Sequence, residues 1–256
     1  MIKLRATVLI ACVLALRGMV AGQATAASQN DQLLQAAAAG NTAAVQQLLE
    51  KGANINAKDA LRLTSLQWAI MTDNSGLARL LLDKGADTEI PDFNGDPALT
   101  IAVSRDKSDL VALLLAKGAK IEAQGSNGYT ALIRAAFDGK ADMAQLLLAK
   151  GADIEARDSD GKTALHEAAE QGKLDVVRLL LEKGAKIESR ADGPLYDGDT
   201  PLLLAVMSGH ADVVKLLLEK GANARVKDKN GETVLEWAVK GNNAAVTQLL
   251  KDHGTK

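Results

Sequence analysis

The chain has little of what a chemical site is usually made from. It holds one cysteine, Cys12, and three histidines, His166, His210 and His253, which stand in separate segments. A single thiol forms no disulfide within the chain, and no thiol and histidine set has the spacing of a zinc motif. No serine-centred nucleophile motif and no phosphate loop occurs, so neither a catalytic residue nor a cofactor or metal site is expected. Lys and Arg (30) nearly balance Asp and Glu (32), giving a formal charge of −2. No basic run of the kind that binds nucleic acid is present. Aromatic residues make up only 2% of the chain: Trp68, Phe93, Tyr129, Phe137, Tyr196 and Trp237. The hydrophobic 47% is therefore mostly Ala, Leu and Val, the small and branched side chains that closely layered helices need.

The first 26 residues have a different composition. Lys3 and Arg5 give a positive start, Ala6 to Leu16 is an apolar run of eleven, and Ala24-Thr25-Ala26 has the small-x-small pattern of a cleavage site. This reads as a secretory signal peptide over residues 1–26, leaving 27–256 as one domain. Eleven apolar residues are too few to span a bilayer, so no stable membrane insertion is expected after cleavage. The alternative is a tethered protein, held by an uncleaved leader or by a lipid on Cys12, since Leu9-Ile10-Ala11-Cys12 resembles a bacterial lipoprotein box. Cleavage after Ala26 would remove Lys3, Arg5 and Arg17 and take the formal charge from −2 to −5. It would also leave a chain without cysteine, which suits an oxidising compartment.

Glycine sets the organisation. Gly52, Gly85, Gly118, Gly151, Gly184, Gly221 and Gly254 are separated by 33, 33, 33, 33, 37 and 33 residues. A period near 33 means stacked units, none of which buries a core alone. Residues 158–190 show the unit. Asp160-Gly161 is a turn signal, Thr163 caps a short helix with Leu165, Ala168 and Ala169 on its apolar face, and Gly172 ends it. Leu174, Val177, Leu180 and Leu181 mark a second helix, ended by Gly184. The four extra residues of the 37-residue spacing fall between Arg190 and Asp199, around Leu195-Tyr196.

Thr163-Ala164-Leu165-His166, the stretch Gly209 to Leu218 and the recurring Gly-Ala pairs resemble the ankyrin repeat family over about residues 30–254. The resemblance implies an all-α repeat solenoid of about seven repeats, each a β-hairpin finger followed by an inner and an outer helix. It also implies recognition of another protein through the concave face, without chemistry. His166 takes a structural role across the loop base, and the glycine series is structural too. The second finger, Lys58 to Ser65, departs by lacking a turn glycine; Asp106 and Asn242 stand where glycine would end an inner helix. With the leader, the resemblance implies a bacterial protein, periplasmic or secreted, and monomeric. A broad chaperone-like or structural envelope role is the alternative, and an enzyme the least favoured.

The glycine register places every aromatic off the outer helices. Phe93, Tyr129 and Tyr196 fall in fingers, Phe137 on the exposed side of an inner helix, and Trp68 and Trp237 one position before a packed alanine. Trp68, Ile101, Arg134, Leu204 and Trp237 share one inner-helix row, and Met71, Phe137 and Met207 share another. Aromatic and Met side chains are enriched at interface cores, so these residues are the candidate protein-binding set. Trp68, Ile101, Leu204 and Trp237 also suit packing between inner helices, and Tyr196 suits folding back onto its neighbouring finger. Asp158-Ser159-Asp160-Gly161 and Asp228-Lys229-Asn230-Gly231 look like calcium-loop openings, but Ala169 and Val239 replace the closing Glu, so both read as finger turns.

Overall fold

The computed structural model describes residues 27–254; the leader and Cys12 lie outside them. Among the described residues fourteen α-helices form seven consecutive pairs. The inner helices are α1 (Gln29–Ala38), α3 (Ser65–Met71), α5 (Ala98–Ser104), α7 (Ala131–Asp138), α9 (Ala164–Glu170), α11 (Pro201–Met207) and α13 (Val234–Lys240). The outer helices are α2 (Thr42–Glu50), α4 (Ser75–Asp83), α6 (Ser108–Ala116), α8 (Ala141–Ala149), α10 (Leu174–Glu182), α12 (Ala211–Glu219) and α14 (Ala244–Asp252). Each inner helix packs on its own outer helix and on the inner helices before and after it.

Local chemistry sets the boundaries. Thr64, Thr130, Thr200 and Thr233 each accept the backbone N–H of the residue three positions on, which starts an inner helix. Pro97 stands at that position in the third repeat and offers no side-chain cap. The seven glycines of the register sit just past the outer helices with φ between +82° and +92°. A Cβ there would meet no neighbour, so the backbone angle alone selects glycine. Between inner and outer helices the left-handed residue is glycine in four repeats but Asp73, Asp106 and Asn242 in the others.

The core follows from the same register. Ala69, Ala102, Ala135, Ala168, Ala205 and Ala238 are buried between inner helices, where only a methyl group fits between layers. Polar staples cross five of the six layer boundaries. Asn56, Glu89, Glu122, Glu155 and Glu188 accept the backbone N–H of Asp87, Lys120, Asp153, Lys186 and Asn223.

One expectation changes. No strands form among the described residues, only one antiparallel bridge, Lys227 to Thr233. The expected β-hairpin fingers are instead tight turns organised by one aspartate. Oδ1 of Asp59, Asp92, Asp158 and Asp228 takes the N–H groups two and four residues on, at 2.8–3.0 Å. These side-chain bonds satisfy N–H groups that a strand ladder would otherwise use. Arg62, at φ 62°, supplies the left-handed residue that the second finger lacks as glycine.

The C-terminal end is only half capped. Thr247 and Lys251 replace the buried Val214 and Leu218 of the preceding outer helix. Val239 is 59% exposed, whereas Ile70, Val103 and Val206 in the same row are at most 3% exposed.

Candidate functional site

The inner-helix row with the tryptophans is a buried row. Trp68, Ile101 and Leu204 are buried and Trp237 is half-buried. Polar bonds explain both indoles. Trp68 Nε1 donates to Asp59 Oδ2 at 2.8 Å, and Trp237 Nε1 to Asp228 Oδ2 at 3.2 Å. Each tryptophan thus clamps the aspartate that organises its own finger, nine residues upstream. The sequence signal is that spacing.

Tyr129 does not stand on the finger surface; it is 8% exposed, with its ring 5.7 Å from that of Phe137. Phe137 is half-buried by this contact. Beside Tyr129 lies a feature that motif reading missed. Lys162 Nζ is 2.5 Å from Glu167 Oε1 and 2.9 Å from Glu170 Oε2, and Lys162 and Glu167 are both buried. Burial raises the Glu167 pKa, with the Lys162 ammonium opposing. Burial also works against the lysine charge, but Glu167 and Glu170 hold its pKa above the ordinary value. Glu167 occupies the tryptophan row, and a carboxylate in register with Trp68, Ile101, Leu204 and Trp237 was the available clue.

The four-residue insertion closes over this triad. Tyr196 lies with its ring centroid 4.4 Å from Lys162 Nζ and its hydroxyl 3.5 Å from Glu170 Oε1. Tyr196 is therefore half-buried, folded onto the preceding finger, while Leu195 beside it remains exposed. Gly193 N–H donates to Asp160 O at 3.0 Å, and Lys229 Nζ donates to Pro194 O at 3.2 Å, tying the insertion to both neighbours. A Cβ at Gly193 would overlap the Asp160 backbone, so this contact requires glycine.

His166 is fully buried at the base of the fifth finger. Its Nδ1 accepts from Thr163 N–H at 3.1 Å, and Nε2 faces Asp199 O at 3.2 Å. Acceptance at Nδ1 fixes the neutral tautomer with its proton on Nε2. Burial lowers the pKa to about 4. His210 and His253 bond to Glu170 O and Leu249 O, away from it and from each other. Among the described residues no group of three or more His, Cys, Asp or Glu side chains is placed to hold a metal. Asp158 and Asp228 spend Oδ1 on their own turns.

A hollow of roughly 380 Å³ opens between the third finger and α3, α5 and α7. Met71, Phe93, Ile101 and the polar residues Asn94, Arg105 and Arg134 line it. Phe93 stands at the fingertip and is 60% exposed. Arg134 Nε pairs with Asp138 at 3.1 Å. Among the described residues the exposed large apolar side chains are Leu61, Phe93, Leu195, Met207 and Val239, all in fingers or on inner helices.

No curated protein matches this chain by sequence. The family model for ankyrin repeats matches it in three copies, over residues 33–125, 122–191 and 187–256. The fold is similar to the ankyrin repeat domain of Bcl-3, described as a unique member of the IkappaB protein family. That match has a TM-score of 0.74 and 30% identity, over 86% of this chain and 97% of that one. It is also similar to the human ASB11 ankyrin repeat domain, with a TM-score of 0.72 and 27% identity over 88% and 98% of the two chains. With the family matched from residue 33 to the last residue and the stacked helix pairs in place, the chain belongs to the ankyrin repeat family.

Proposed function

We propose that this protein is a non-catalytic protein-binding module that takes its partner along the concave strip centred on Phe93. The observation that carries this is the placement of the exposed large apolar side chains: apart from Val239 at the C-terminal end of the stack, Leu61, Phe93 and Leu195 are on fingers and Met207 is on an inner helix, and none is on an outer helix among the described residues. Apolar surface left on one face of a solenoid marks a contact face. Phe93, Met71 and Met207 are of the types that dominate interface cores. Its strongly perturbed groups, His166, Lys162 and Glu167, are spent on internal contacts, which supports binding rather than chemistry. The leader-like segment 1–26 supports a location in the periplasm or outside the cell. Among the described residues no helix is long and apolar enough to cross a membrane.

A photo-crosslinking amino acid placed at Phe93 and, as a control, at Arg178 on the exposed side of α10 tests this in the source cell. A discrete adduct with one protein from position 93, and none from position 178, is the expected result. Equal labelling from both positions refutes docking at the concave strip. Many faint adducts would indicate a broad chaperone-like role. The mass of the purified native protein checks cleavage before Ala27.

A further inference from the structure

The charges around the hollow are unequal in what they have left to give. Four charged side chains line it: Asp92, Asp96, Arg105 and Arg134. Both carboxylates are buried, with Oδ1 of each committed to backbone or hydroxyl donors of the fingers. Asp92 Oδ1 accepts the N–H groups of Asn94 and Asp96, and Asp96 Oδ1 accepts both the N–H and the hydroxyl of Ser126, each at 2.8–2.9 Å. The guanidiniums are not used up. Arg105 is exposed, and Arg134 commits Nε to Asp138 while keeping two terminal NH₂ groups. The hollow therefore offers an apolar wall of Met71, Phe93 and Ile101 beside spare cationic donors. Near the insertion the charges are already committed: Glu170 pairs with Lys162, and Asp199 is buried.

We infer that the partner presents an acidic and apolar segment, its carboxylate against Arg105 and Arg134 and its apolar side chain against Phe93. This rests on the docking proposed above and adds the chemistry of the occupant. A guanidinium pairs a carboxylate through two parallel N–H bonds, and a partly enclosed apolar wall excludes water from that pair. At the insertion Lys162 is already paired with Glu167 and Glu170 and covered by Tyr196, so the acidic end is held over the third and fourth repeats rather than the fifth and sixth.

Panning a random peptide library displayed on phage against the full chain, with Phe93→Ala and Arg105→Glu proteins in parallel, tests this. Circular dichroism melts confirm that both variants fold, since both side chains are exposed. The expected result is enrichment of peptides pairing Asp or Glu with Leu, Ile or Phe. Their binding weakens about tenfold or more in each variant, the scale of a lost interface anchor. Enriched peptides that are basic or uncharged, and that lose binding with Phe93→Ala, overturn the acidic partner while leaving the docking face intact. Enriched peptides indifferent to both substitutions, or no enrichment at all, overturn the inference; indifference to Phe93→Ala counts against the docking face as well.

Discussion

Replacing His166 by glutamine should remove one acid-sensitive element of the fold without removing its cap. In the second repeat Gln67 already occupies this position. Its Oε1 accepts Thr64 N–H at 2.8 Å and its Nε2 donates to Ile90 O at 2.7 Å. His166 makes the same kind of two-ended bridge, from Thr163 N–H to the backbone beyond. The histidine titrates near 6.5 when unfolded but only at about 4 when buried. Between those values the unfolded chain holds more protons, so the stability present at neutral pH is lost as pH falls from 6.5 towards 4. Linkage puts the loss from pH 7 to pH 5 at about 2 kcal/mol for this one group.

Asp199 acts with the opposite sign. Its pKa rises to about 6, through burial first and then the Asp228 charge, so the folded state takes up that proton before the unfolded chain does. Acidification through the same window therefore stabilises the fold at Asp199, and the wild-type profile alone mixes the two groups. The difference between wild type and His166→Gln isolates the histidine. Urea melts followed by circular dichroism at pH 7 and pH 5 measure it. At pH 7 the two proteins should agree within about 1 kcal/mol, the scale of one hydrogen bond. At pH 5 the wild type should have lost about 2 kcal/mol more than the variant. Parallel profiles would refute a buried neutral histidine at this position.

Lys162→Ala should cost about 3 kcal/mol or more in a denaturant melt, because Glu167 would be left buried without its cation. Replacing Lys162 by Met and Glu167 by Leu together should recover most of that loss, and a double variant as unstable as Lys162→Ala would contradict the reading. Asp106→Gly should raise stability by about 1 kcal/mol, since it relieves a left-handed residue at φ 58°. Asp73→Gly should gain less in the same thermal melt, because it also removes the 2.5 Å pair with Lys107.

The repeat was legible because its punctuation is forced by covalent geometry. A residue at φ near +90° is nearly always glycine, so seven such positions could be read without knowing any packing. The inner-helix stops show where this logic loosens. At φ near +58° Asp and Asn are tolerated, and Asp73, Asp106 and Asn242 stand there. Which aromatics face outward was not legible in the same way. Trp68 and Phe93 are both aromatic and both placed by the register, yet one is buried and the other mostly exposed. Burial depends on what lies opposite, and that belongs to a neighbouring repeat or to a finger nine residues away. Asp59 accepts the Trp68 indole, whereas nothing across from Phe93 covers its ring.

The insertion obeys the same rule. A periodic register shows that four residues have been added; it does not show where they fold. That was decided by a lysine in the preceding finger whose ammonium, balanced against two glutamates, has an open side for the ring of Tyr196. Cation–π contact with a largely desolvated ammonium is worth about 2 kcal/mol, enough to draw Tyr196 down while Leu195 stays in solvent. The insertion thereby closes the strip over the fifth repeat with its own side chain. The third and fourth repeats, where the finger is short and its aspartates are buried with Oδ1 committed, are left as the place with room and donors for a partner.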